Sequence, residues 1–182
     1  MHNNTIAEFE QVTTACRDIF NKKTLDYGTA WRVLRLPSIT DQLFIKAKRI
    51  RSIEEKGVQM IGDSIADEYR GLINYCIIAL IQLELAPNAN TPLELPAQEV
   101  IDAYTRHLAI NKTLLQQKNH DYGEAWRDMR ISSLTDLILM KILRIKQIED
   151  NGGKTLISEG TEGSYRDIIN YAAFALIKLL PA

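Results

Sequence analysis

The chain is poor in cysteine. Of 182 residues only Cys16 and Cys76 are cysteines, each standing singly in an apolar stretch, with no CxxC and no histidine at ligand spacing. Both read as small core residues in a reduced, cytoplasmic setting. An excess of charge is also lacking: 22 Lys and Arg are interspersed with 23 Asp and Glu, for a net charge of −1. No polybasic surface results, so neither duplex nucleic acid nor a membrane is an expected partner. No window approaches the length of an apolar membrane span, and the opening "MHNNTIAEFE" has neither a basic nor an apolar leader region. Strict strand-like alternation is missing as well. What remains, 46% hydrophobic and 25% charged residues, is the composition of a globular protein with a substantial core.

The chain contains itself twice. Residues 118–126, "KNHDYGEAW", repeat the skeleton of residues 23–31, "KTLDYGTAW". At an offset of 95, residues 23–57 match 118–152 at 17 of 35 positions, and at an offset of 96, residues 69–83 match 165–179 at 9 of 15. This is a duplication, and it organises the chain. Residues 86–99, "APNANTPLELPAQE", hold three of the five prolines and read as a linker between a first repeat over 1–85 and a second over 100–182.

Each repeat reads as three helices. Ile6, Phe9, Val12 or Thr13, Cys16, Ile19 and Phe20 recur at helical spacing and predict a helix over Thr5 to Lys22, with Ala97 to Gln117 as its counterpart. Ser38 to Lys56 and Ser133 to Asn151 follow, each with a Ser three residues before an Asp, close to a capping box, and with Gly57 and Gly152 at the expected C-terminal positions. The third pair, Asp63 to Leu85 and Glu162 to Leu180, is apolar on more than one side and belongs at the centre. The fold class is all-α, a helical bundle of about six main helices.

The informative residues are polar ones where the helix period places core. Lys46 interrupts the stripe Ile39, Leu43, Ile50 and Ile53, and Lys141 interrupts Leu134, Ile138, Ile145 and Ile148. A buried ammonium without a partner is costly, so each Lys either snorkels or meets an anion or a carboxylate from another helix. Arg49 and Arg144 lie three residues on. Acidic candidates fall on the third helices: Asp63 and Asp67 with Arg70 and Asn74, and Glu159, Glu162 and Asp167 with Arg166 and Asn170. Carboxylates at such spacing suit a magnesium ion, and acids at a helix start also suit the macrodipole. The three histidines give no matching signal, since His2 is near the start, His107 lies in a helix, and Leu25 stands where the second copy has His120.

The string K-x-x-D-Y-G-x-A-W, then K-x-x-R-I, then an acidic stretch running into N-Y, resembles the nucleotide modification associated domain 1 family, once per repeat. It rests on Lys23, Asp26, Tyr27, Gly28, Trp31, Lys46, Arg49, Asn74 and Tyr75, and on Lys118, Asp121, Tyr122, Gly123, Trp126, Lys141, Arg144, Asn170 and Tyr171. The family's helical pattern is similar to the all-α nucleoside triphosphate pyrophosphohydrolases of the MazG and dUTPase type, which implies magnesium and a nucleotide partner. The chain departs from that pattern: there is no clear E-x-x-E on a middle helix, and the acids expected at i, i+4 and i+8 are broken by Gly71 in one copy and Gly163 in the other. The repeats either pool their ligands in one composite site or have lost the metal set.

Three readings follow. In the first, Lys46, Arg49, Lys141 and Arg144 hold the phosphates of a nucleotide or another phosphate-bearing small molecule, and Tyr27, Trp31, Tyr122 and Trp126 offer faces to a base or fasten a helix corner. In the second, Asp63, Asp67, Glu159, Glu162 and Asp167 also hold magnesium and activate water for hydrolysis. In the third, these residues form internal salt bridges with no cavity beside them, in a structural or assembly protein. Asp26 and Asp121 are expected to bond corner amides or meet Arg32 and Arg127. Oligomeric state stays open, homo-oligomers included, although a fused pair can mimic a dimer.

Overall fold

The structure, a computed structural model, describes residues 4–86, 88, 90–157 and 160–180. Six long helices occupy them: α1 (Thr5–Tyr27), α2 (Leu36–Lys56), α3 (Ile65–Leu85), α4 (Ala97–Tyr122), α5 (Ile131–Asp150) and α6 (Glu162–Leu179). Short 3-10 turns over Ala30–Val33 and Ala125–Asp128 make the corners after α1 and α4, and no strand occurs among the described residues.

The stripes behave as the period requires. Phe9, Val12, Cys16 and Phe20 on α1 and Ile39, Leu43, Ala47 and Ile50 on α2 are all buried. The third helices α3 and α6 are buried almost all round and pack on each other at the centre, with Ala172, Ala173 and Ala175 of α6 keeping that approach close. Burial pushes the Cys16 thiol up to about 12, in keeping with a core residue.

Several helix ends differ from the sequence expectation. Helix α1 runs on to Tyr27 and α4 to Tyr122, so most of the K-x-x-D-Y signature is helical. Nothing breaks either helix before Gly28 and Gly123, whose φ values of 67° and 63° turn the chain into the corner. Ser38 and Ser133 do not cap: α2 and α5 begin earlier, behind Arg35 and Arg130, because Pro37 is accommodated within the first turn of α2 and Ser132 stands in its place in α5. The capping box is instead at Ser64 and Asp67, where each side chain bonds the other's backbone amide, at 3.1 and 3.0 Å. Asp63 therefore precedes α3 and is not part of its face.

Exchanging α1 with α4, α2 with α5 and α3 with α6 maps the set of helix contacts onto itself. This is the pattern of two modules related by a two-fold. Side chains obey it too. Thr135 of the second module donates to Glu54 of the first at 2.9 Å, and Thr40 of the first donates to Glu149 of the second at 2.8 Å. The hydroxyl of Tyr69 bonds Thr135 at 2.7 Å, and the corresponding ring of Tyr165 is equally buried. Burial raises both Glu54 and Glu149 above the usual carboxylate range. The exposed pairs Arg51 with Asp136 and Lys146 with Asp41 are related in the same way.

If the modules are welded by these bonds, Thr135→Val and Thr40→Val each lower the unfolding free energy by about 1 kcal/mol, because a half-buried carboxylate loses its donor. Denaturant unfolding of both variants checks this, and a change of a few tenths in either contradicts it.

Candidate functional site

The largest set of signature residues converges within the first module. A cavity of about 550 Å³ is lined by Lys23, Tyr27, Gly28 and Trp31 from α1 and its corner, by Lys46 from α2, and by Asp67, Arg70, Gly71, Asn74, Tyr75 and Ile78 from α3, with Asp63 at the mouth of that helix. That size suits a small-molecule ligand. Its walls belong to the first module alone.

Lys46 lies where the stripe placed it and is paired, as desolvation requires. Its Nζ stands 3.2 Å from Glu68 Oε2, while Arg49 Nη1 donates to Glu68 Oε1 at 2.7 Å. Lys46 also sits 5.8 Å from the Tyr75 ring centroid. Arg49 turns away from the cavity and ties down the preceding loop through the carbonyl of Asp63 at 2.8 Å. Asn74 is fixed by Tyr104, which donates to its Oδ1 at 2.7 Å.

The second module uses the same parts differently. Asp167 takes Lys118 on Oδ1 at 2.7 Å and Lys141 on Oδ2 at 2.8 Å, a closed clamp. Burial alone pushes the Asp167 carboxyl up, but the two lysines outweigh it and hold it below the usual range. Trp126 is buried and stacks on Phe174 at 4.4 Å and 5°. Arg144 is exposed on a different face, beside Met140, Leu143 and Gln147.

Other expected site residues scatter. Glu162 bonds Arg166 at 2.8 Å rather than joining Asp167, and Glu159 lies outside the described residues. Asp26 and Asp121 are exposed in the last turns of their helices. Their expected arginine partners go elsewhere: Arg32 bonds Gln82, and Arg127 bonds Glu124 and Glu8, since the corner faces those side chains and the aspartates point out. Tyr122 is 78% exposed and fastens nothing to the core, unlike Trp126.

Of the acids expected to hold magnesium, Asp67, Glu162 and Asp167 are each bonded within the protein, and Glu68 beside Asp67 is bonded too. Both oxygens of Glu68 hold cations, and Asp67 spends Oδ2 on the Ser64 amide and hydroxyl and Oδ1 on Arg70 at 2.8 Å. The Ser64 bonds hold its carboxyl below the usual range. Among the described residues no three His, Cys, Asp or Glu side chains gather as a metal needs. This donor set is a cation clamp and does not fit magnesium.

A family model for nucleotide modification associated domain 1 matches residues 23–83 and again 118–179. The chain belongs to this family. No curated protein and no solved structure matches it. The two nucleotide modification associated domains cover the two modules from signature lysine to the third helix, and their cores make one bundle. No helix is long and apolar enough to cross a membrane among the described residues. Sequence reasoning did not single out Glu68, because the second domain carries Ser164 there and the repeat gave no echo.

The Asp167 clamp makes a pH-dependent contribution. Its folded pKa lies below the unfolded value, so its stabilisation is present above about pH 4 and is lost as pH falls through the folded pKa. Asp167→Asn is expected to lose about 1–3 kcal/mol near neutral pH and less near about pH 3. Urea unfolding of both proteins at the two values checks this, and an equal gap at both contradicts it.

Proposed function

We propose that the first module binds a nucleotide, or a closely related phosphate-bearing small molecule, in the cavity between α1, α2 and α3. The observation that carries the proposal is the company the cavity keeps: the rings of Tyr27, Trp31 and Tyr75 and the cations Lys23, Lys46 and Arg70 line one space. Aromatic faces suit a base, and Lys and Arg suit phosphate oxygens. Lys23, Lys46 and Arg70 share the wall with Asp63, Asp67 and Glu68, and Arg49, from outside the cavity, also holds Glu68, which lets Lys46 meet an anion.

The second module acts in this reading as the structural partner. Its lysines are satisfied internally, and it braces the first module across the two-fold. The reading is one of recognition. Water activation by magnesium would need carboxylate oxygens that Glu68 gives to Lys46 and Arg49 and that Asp67 gives to Ser64 and Arg70.

The test is a screen of nucleoside mono-, di- and triphosphates by melting temperature and calorimetry, with and without magnesium, with pyrophosphate release read alongside. At least one nucleotide is expected to raise the melting temperature. Lys46→Ala weakens its binding by about tenfold or more, the loss of one charge-assisted bond, whereas Lys141→Ala lowers stability and leaves affinity within about twofold. Equal loss of affinity in both variants overturns the assignment to the first module, and no binding by any nucleotide overturns the proposal.

A further inference from the structure

The duplication places three residues of each module in correspondence: Lys23 with Lys118, Lys46 with Lys141, and Gly71 with Asp167. In the second module the Asp167 carboxylate bridges the two lysines at 2.7 and 2.8 Å. In the first the lysines and Gly71 line the cavity. Lys23 has no carboxylate partner among the described residues, and no side chain at position 71 fills the gap. A Cβ built there would lie 2.9 to 3.1 Å from the end of the Lys46 side chain, so Lys46 runs directly across the bare backbone.

A second pair of positions shows the same exchange. Ile78 and Trp31 both line the cavity, whereas the corresponding Phe174 stacks on Trp126 at 4.4 Å and 5°. The second module thus fills both positions, with a carboxylate between two lysines and a planar ring on a tryptophan.

We infer that Asp167 and Phe174 are built-in stand-ins for the two ends of the first module's ligand: an anionic group bound over Gly71 between Lys23 and Lys46, and a planar ring stacked on Trp31 near Ile78. The inference rests on the nucleotide reading and deepens it by assigning the ligand's orientation. Positions 71 and 78 are seven residues apart on α3, about 10 Å along its axis. A nucleoside diphosphate covers that span, and inorganic phosphate or a free base alone does not. Lys46 turns towards the anion without stranding Glu68, because Arg49 still holds that carboxylate at 2.7 Å. Gly71 and Ile78 are the positions that keep this site open.

The experiment installs the stand-ins in the first module of the full chain. Gly71→Asp, Gly71→Asn and Ile78→Phe are titrated calorimetrically with nucleoside 5′-diphosphates and inorganic pyrophosphate, and their melting temperatures are read to show that they fold. Gly71→Asp is expected to retain or raise the melting temperature and to lose diphosphate affinity by about a hundredfold, the loss of two charge-assisted contacts. Gly71→Asn, of equal bulk without the charge, loses less. Ile78→Phe weakens nucleoside diphosphates and spares pyrophosphate. If the wild type binds a nucleotide and Gly71→Asp binds it equally well, this inference falls while the nucleotide reading stands. If the wild type binds none, both fall.

Discussion

A lysine ammonium on the core-facing stripe of a middle helix sets the terms for the rest of this molecule. Taking that charge out of water is unfavourable unless a carboxylate meets it, so the third helix of each module must present one. Lys46 and Lys141 are both answered, but from different places: Glu68 in the first module, Asp167 in the second. The two acids sit on different turns, one near the start of its helix and the other a turn further in. That displacement decides whether the space between the signature lysine and the middle helix is filled or open.

The two-fold arrangement explains how one fold tolerates both solutions. The modules share one core through α3 and α6, and each supplies a threonine to a half-buried glutamate of the other. Such an interface fixes the modules through bonds that lie away from both lysine clusters. The corners are braced separately. Thr29 takes the linker at Leu93 and Leu95, and Glu124, its counterpart, takes the start of α1 at Thr5. A duplicated chain of this kind can keep one module rigid and self-satisfied while the other carries an open pocket.

Much of this is legible in the residues. The period and the duplication give six helices and their pairing, and the lysine exceptions in the two stripes mark where the polar contacts fall. What the sequence hides has physical causes. Helix α1 runs through its Asp-Tyr pair because nothing but Gly28 stops it, and Ser38 lies inside its helix because a proline is accommodated in a first turn. Glu68 stays hidden because its counterpart is Ser164. Gly71 and Asp167 read in sequence as gaps and members of a metal set. In space Asp167 bridges two lysines of its module, while Gly71 leaves bare backbone beneath the Lys46 side chain.

The most direct test of the account is the number of ligands per chain. Native mass spectrometry or calorimetry of the intact protein with its best nucleotide should give one bound molecule per chain, lost on Trp31→Ala and kept on Trp126→Ala once folding of both variants is verified. Two equivalent molecules per chain, or binding lost only through Trp126, would contradict it.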